Sequence, residues 1–143
     1  MNADSSRPEP GSISRDLIKE TLRTLEVRFL IDGDGDVITL WPDSCMCFLT
    51  AGTRSTIYVH QVHLDRRFAL DNRQYLLEQI NDWNRDHYWP KAFAVTDDMG
   101  EVHVHAESQF DCTAGITPEL FTHTTACWIA AALQFVAWIN LRA

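Results

Sequence analysis

Four histidines of this chain stand at spacings that could hold a metal ion: His60, His63, His103 and His105. His103 and His105 are two residues apart in a predicted strand, so they share one of its faces, while the other pair lies on a second predicted strand. Histidine nitrogen and cysteine sulfur are common zinc ligands, and Cys45 and Cys47 could supply the sulfur. Neither histidine pair has the spacing of a structural zinc motif, and half-exposed strand histidines are common without any metal. We therefore assign no metal ligand and keep a metal-binding sensor or metal-dependent enzyme as the alternative interpretation.

The aspartates and glycines of residues 32–36 resemble the start of a calcium-binding loop, because alternating carboxylates can converge on a hard cation. With Asp32 in the first position of such a loop, Val37 occupies the sixth. The sixth position needs glycine for its sharp turn, and a β-branched residue fits it badly. The segment is therefore predicted to be a hairpin turn between two strands.

The sequence contains no arrangement of residues typical of an enzyme. There is no Gly-x-Ser-x-Gly elbow and no Walker sequence, and Gly33 and Gly35 lack the third glycine and following helix of a dinucleotide-binding motif. Cys127 lies in the most apolar segment, where a nucleophilic thiolate is poorly stabilised. We predict that the protein is not an enzyme, with no catalytic residue and no cofactor.

The charge of the chain limits its partners. It carries 12 basic and 20 acidic residues, a formal net charge of −8. Nucleic acids and anionic membranes attract clustered basic residues, so neither is expected to be a partner. Residues 1–14 are polar and lack the apolar core of a signal peptide, which favours the cytoplasm and four reduced cysteines.

Residues 13–143 are predicted to form one domain after a disordered N-terminal tail at residues 1–12, which is rich in proline, serine and charge. A first amphipathic helix precedes three strands, or four if the run after Pro42 is separate. Asp71 and Gln74 resemble a capping box and predict the start of a second helix. Two strands around the turn at residues 97–100 lead into a last helix. The order α-β-β-β-α-β-β-α, with strands grouped in hairpins, predicts an α+β fold with an antiparallel sheet.

The last predicted helix, residues 117–143, carries the most information about association. Thr117 can cap it, and Pro118 fits the first helical position. Its apolar run covers about 14 residues before Asn140, whereas a membrane span takes about 20, so we predict a buried helix. Within that run Gln134 is the single polar residue, and a helix that is apolar all round must be covered all round.

One side of this helix is therefore predicted to pack on the sheet and the other on a second copy of the chain. The expected interface residues are Trp128, Phe135 and Trp138, because aromatic side chains concentrate binding energy at interfaces. A monomer whose last helix is covered by its own first helix and loops is the remaining alternative.

Several local patterns resemble the YbjN family. They are residues 76–81 with Trp83 and Asn84, residues 89–92 opening a strand, the turn at Gly100, and residues 115–119 before the long helix. The resemblance extends over about residues 14–140. It implies an α+β fold similar to type III secretion chaperones, in a family of sensory-transduction or stress regulators that generally lack enzymatic activity. It assigns no functional residue. Together with the residue patterns it predicts a non-catalytic homodimer that binds a protein segment, by strand addition or in an apolar groove.

Overall fold

A six-stranded antiparallel sheet with three helices on one face makes up the computed structural model, which describes residues 11–143. The elements in chain order are α1 (Arg15–Thr24), β1 (Leu30–Ile31), β2 (Val37–Trp41), β3 (Ser44–Ala51), β4 (Ile57–Phe68), a single 3₁₀ turn (Leu70–Asn72), α2 (Arg73–Asp86), β5 (Lys91–Thr96), β6 (Val102–Asp111) and α3 (Pro118–Arg142). The predicted α+β class and antiparallel sheet are confirmed. Four strands precede α2, the first of them only two residues long.

The strand order across the sheet is β1-β2-β3-β4-β6-β5. The first four strands form a meander in which each strand pairs with the next. After α2 the chain enters β5 at the edge of the sheet, and β6 then returns between β5 and β4. As a result β4 and β6, which are far apart in the sequence, pair along almost their whole length at the centre.

The core lies between one face of this sheet and the helices. Alternate residues of the strands point into it, as in β6, where Val102, Val104 and Ala106 are buried while the residues between them are half-exposed. The largest buried side chains are Trp83, Trp128, Tyr58, Phe48, Phe121 and Phe135. The indole N–H of Trp83 donates to the carbonyl oxygen of Pro90 at 2.8 Å.

Two helices begin at hydroxyl caps. The side chain of Thr117 accepts a hydrogen bond from the N–H of Leu120 at 3.1 Å, which confirms the predicted start of α3. Ser14 caps α1 in the same way. The predicted second helix is present as α2, but the capping box is not, because the chain makes a 3₁₀ turn over residues 70–72 and α2 begins at Arg73 without a side-chain cap.

Residues 1–10 of the predicted N-terminal tail lie outside the described residues. Gly11, which the prediction placed in that tail, forms an antiparallel bridge with Ile116 through two backbone hydrogen bonds of 2.9 Å. This bridge holds the segment that precedes α1 beside the segment that precedes α3.

The helix α3 has an inner and an outer half that differ in burial more than in chemistry. Eight inner residues are buried: Phe121, Thr125, Trp128, Ile129, Ala132, Phe135, Val136 and Ile139. At 25 residues α3 is longer than the apolar run of about 14 residues that it contains. Within residues 11–143 it is the one helix long and apolar enough to cross a bilayer, a criterion that buried helices of globular domains also meet.

The structure corrects two of the three predicted interface residues. Trp128 is 1% exposed and Phe135 is 0% exposed in the single chain, so neither side chain is available to a second copy. Trp128 stacks on Tyr58 with ring centroids 5.0 Å apart. Trp138 is partly exposed at the border of the two halves, where the guanidinium of Arg142 lies 4.1 Å from its ring centroid.

Candidate functional site

No helix within residues 11–143 covers the sheet face opposite the core, which we call the open face. The strand register places its side chains in rows. One row contains Leu40, Cys45, His63, His105 and Phe93, and the next contains Leu30, Ile38, Cys47, Gln61, Glu107 and Lys91. The open face is therefore polar along the central strands and more apolar toward both edges.

At the centre of the open face, His63 of β4 lies directly opposite His105 of β6. Their Nδ1 atoms are 2.7 Å apart, and the two rings are inclined at 78°. One ring donates an N–H to the other across this distance, which requires at least one neutral imidazole.

The environment of this pair favours neutral rings. Burial lowers the pKa of His63, although the nearby carboxylate of Glu107 acts in the opposite direction. Burial is also the main reason that the pKa of His105 is lowered, followed by the charges of His63 and His103. Both imidazoles are consequently uncharged at neutral pH and present nitrogen lone pairs.

His60 does not belong with the other three candidate histidines. Residues 60 and 63 are separated by an odd number of positions in one strand, so their side chains point to opposite faces of the sheet. His60 lies in the core, stacked on Phe48 at 4.7 Å and parallel to the indole of Trp128 at 6.2 Å. Neither ring nitrogen has a hydrogen-bond partner among the described residues. The pKa of His60 is lowered to about 3, mainly by burial and to a smaller extent by the charge of His63.

His103 shares the open face with His105, as predicted, with ring centroids 6.4 Å apart. Its Nε2 lies 2.7 Å from the carboxylate of Asp97, and that contact lowers the pKa of Asp97. Ligand atoms of Asp97, Glu101 and His103 come within 4.8 Å of one another. Since Arg67 pairs with Glu101 at 3.2 Å, a basic group already balances this acidic cluster.

The aspartate-rich segment is a hairpin turn, in agreement with the prediction. Asp32 and Asp36 are joined by a backbone hydrogen bond of 3.0 Å, and a carboxylate oxygen of Asp32 accepts the N–H groups of Asp34 and Asp36, each at 2.9 Å. Gly35 adopts a φ of 83°, which its lack of a Cβ permits. The carboxylate of Asp32 is thus used to hold the turn.

The four cysteines are free thiols. Burial raises the pKa of Cys45, Cys47 and Cys112, the value for Cys47 reaching about 12. Thiols with raised pKa values are protonated at neutral pH and react slowly as nucleophiles. Cys45, Cys47 and Cys112 therefore lack the activation that a catalytic thiol needs.

The outer half of α3 is the second surface left uncovered in the single chain. Its exposed residues between the terminal charges form one stripe, which we call the outer stripe: Leu120, His123, Ala130, Gln134, Ala137 and Leu141. Leu120 is 47% exposed and Leu141 is 85% exposed. No Asp, Glu, Lys or Arg lies between Glu119 and Arg142.

The sequence could place neither the histidine pair nor the outer stripe. Strand periodicity put His63 and His105 on faces of their own strands, but only the β4–β6 register brings them together. In α3, aromatic and aliphatic residues occur on every side, so the pattern did not reveal which side faces the sheet.

The whole fold is similar to a known structure. A crystal structure of YbjN, "a putative transcription regulator from E. coli", matches with a TM-score of 0.75 and 12% sequence identity, over 92% of each chain. At this identity the similarity shows the fold alone. No curated protein sequence matches the chain.

A family model supplies the sequence relationship. The model of the YbjN family, described as a "putative bacterial sensory transduction regulator", matches residues 14–141. That description names a regulator and no enzyme, and the match confirms the resemblance seen in the residue patterns. Because the matched region covers nearly the whole described chain and the fold agrees, this protein belongs to the YbjN family.

Proposed function

We propose that the protein is a non-catalytic regulatory module that acts as a homodimer, in which the outer stripe of α3 contacts the same stripe of a second copy. The observation that carries the proposal is the uncharged outer half of α3. Leu120 and Leu141 are 21 positions apart, which corresponds to about 32 Å along a helix. A helical surface of that length without an acidic or lysine/arginine side chain is unusual for a face left in water.

The side chains of the stripe suit a helix-to-helix contact. Ala130 and Ala137 are small, so a second helix can approach closely, and Leu120 and Leu141 offer apolar area at the two ends. Each leucine that is fully buried contributes about 1.5–3 kcal/mol.

A second copy is the partner that this chemistry favours. A surface without charge is complemented by another surface without charge, and the same stripe on another chain meets that condition. A two-fold axis brings identical patches together, and two-fold dimers are the commonest symmetric oligomers.

The regulatory role is proposed to operate through protein contacts. The net charge of −8 argues against a partner with a phosphate backbone, which attracts clustered basic residues. A role in transcription, as named for the E. coli protein, would then act through a protein partner. We also propose the cytoplasm as its location, because all four cysteines are free thiols.

A protein segment would bind by adding a strand to β5, which lies at the edge of the sheet. Phe93 and Val95 of this strand are about half exposed, and edge strands with apolar exposed residues pair readily with another chain. We expect a partner captured by the unchanged protein to be lost from a Phe93→Lys, Val95→Lys double variant, as measured by pull-down and mass spectrometry. Capture that persists in the double variant would exclude β5 as the binding strand.

The dimer is tested by sedimentation velocity over a hundredfold dilution series. The unchanged chain is expected to sediment as a dimer at the upper concentrations. The variants Ala130→Glu and Ala137→Glu place a charge at the centre of the stripe and are expected to sediment as monomers. Ala69→Glu, the same change at an exposed position outside α3, should remain dimeric. A monomer mass for the unchanged chain at every concentration would refute the proposed dimer.

A further inference from the structure

We propose that His63 and His105 form a binding site for a divalent transition-metal ion on the open face of the sheet. The two side chains come from adjacent central strands, and their Nδ1 atoms approach to 2.7 Å. The site lies on the opposite side of the sheet from α3, so the inference does not rest on the proposed dimer.

The geometry of the pair suits one ion bound by both rings. Zinc–nitrogen bonds are about 2.0–2.1 Å long, so two imidazoles on one tetrahedral ion have nitrogens about 3.3–3.4 Å apart. The observed separation of 2.7 Å is roughly 0.6 Å shorter than this range. Because the pair is half-exposed, a small rotation of each ring lets an ion replace the shared proton.

The surroundings of the pair favour binding of a cation. Glu107, which is in the next row of the open face, lies close enough for its charge to act on His63. Its carboxylate oxygens accept hydrogen bonds from Gln61 at 3.0 Å and Gln109 at 2.9 Å, which hold it beside the pair. On the neighbouring edge strand β5, the centroid of the Phe93 ring lies 5.4 Å from that of His105.

The donors determine the class of metal. Neutral imidazole nitrogens with a carboxylate nearby select Zn²⁺, Cu²⁺, Ni²⁺ or Co²⁺, whereas Ca²⁺ and Mg²⁺ require mainly oxygen ligands. The open positions of such an ion face solvent, where water or a partner's side chain can complete the coordination.

Three of the other four histidines are engaged elsewhere in the fold. His60 is enclosed in the core, His103 is engaged by Asp97, and His87 stacks on Trp83 with ring centroids 3.6 Å apart. His123 lies 3.5 Å from the thiol sulfur of Cys127 on the exposed side of α3, so the variant His123→Gln tests whether zinc binds there instead.

The test is isothermal titration of the tag-free full-length protein with Zn²⁺. We expect one ion per chain, and at least a tenfold loss of affinity in His63→Gln and in His105→Gln. The control variants His103→Gln and His123→Gln should bind within twofold of the unchanged protein. Absence of Zn²⁺ binding, or affinity that is unchanged in the first two variants, would overturn the proposal.

A second measurement guards against variants that do not fold. In the unchanged protein, Zn²⁺ should shift the side-chain ¹⁵N resonances of His63 and His105 and leave that of His60 in place. Shifts confined to other histidines would overturn the assignment of the site. The mass measured by sedimentation should be the same for His63→Gln, for His105→Gln and for the unchanged protein. The test of the zinc site is therefore separate from the test of the dimer.

Discussion

His60 should make the folded protein sensitive to acid, and replacing it with phenylalanine should remove that sensitivity. The imidazole is buried between Phe48 and Trp128, and neither nitrogen finds a partner among the described residues. Its pKa is about 3 in the folded chain, mainly because of burial, against an ordinary value of 6.5. Protonation is therefore much harder in the folded state than in the unfolded state.

The sign and size of the effect follow from this difference. Above pH 6.5 the ring is neutral in both states, and the free energy of unfolding is unaffected. Between pH 6.5 and pH 3, His60 is protonated in the unfolded chain but stays neutral in the folded chain. Each unit by which the pH falls therefore lowers the free energy of unfolding by about 1.4 kcal/mol. The loss is about 2 kcal/mol at pH 5 and approaches about 5 kcal/mol near pH 3, which is comparable to the whole stability of a small domain.

Urea unfolding of the unchanged protein and of His60→Phe at pH 7.5 and pH 5 measures this directly. The difference between the two proteins should change by about 2 kcal/mol between the two pH values, in favour of the variant. Any change in packing caused by the phenylalanine ring is common to both pH values and cancels. His63 and His105, whose pKa values burial also lowers, are present in both proteins and cancel in the same way.

His123→Gln serves as the control, because that imidazole is exposed on α3, outside the buried cluster that encloses His60. If the difference in unfolding free energy between the unchanged protein and His60→Phe were the same at both pH values, the reasoning would be refuted. Such a result would mean that His60 is solvated or partnered when folded.

Two further substitutions test how single contacts hold the fold. The side chain of Asn84 accepts a hydrogen bond from the N–H of Ala92 at 2.8 Å and donates one to the carbonyl oxygen of Ala92 at 3.1 Å. Asn84→Ala should therefore lower the free energy of unfolding by about 2–3 kcal/mol, measured by urea titration. A loss below about 0.5 kcal/mol would show that water replaces both hydrogen bonds. Gly35→Ala should cost roughly 1–2 kcal/mol, because φ is 83° there and an added Cβ would lie 2.9 Å from Arg15 Nη1. Gly33→Ala, where nothing lies within 4 Å of an added Cβ, should change thermal stability little, and equal melting temperatures for the two alanine variants would contradict this account.

Local signals in the sequence predicted the three helices and most strands, but left open whether three or four strands precede α2. Thr117 followed by Pro118 predicted the first turn of α3, and the alternation of apolar residues predicted the strands of the sheet. Helix caps and strand alternation depend on residues only a few positions apart, so they can be recognised in the sequence itself. At α2 the same kind of signal failed, because the tertiary structure places a 3₁₀ turn where Asp71 and Gln74 resembled a capping box.

The functional surfaces depend on contacts between distant residues, and the sequence could not supply them. The pairing of His63 with His105 requires the register of two strands separated by α2 and β5. By contrast, the sequence alone shows that residues 60 and 63 are an odd number of positions apart. In one strand this places His60 on the opposite face from His63. In α3 the apolar residues on every side concealed which half is buried, and Trp128 and Phe135 were placed on the surface when they form the core.

The two surfaces left uncovered by the single chain have opposite chemistry and lie on opposite sides of the molecule. The inner half of α3 packs on Tyr58 and other residues of the core face, so the outer stripe points away from the sheet. His63 and His105 lie on the far side of the same strands. If the outer stripe is used for dimerisation, the histidine pairs of both copies remain open to solvent in the dimer. The dimer would then combine one apolar contact with two separate polar sites. This separation is the physical reason to expect that variants of the stripe change mass and not zinc affinity, and that variants of the histidine pair do the reverse.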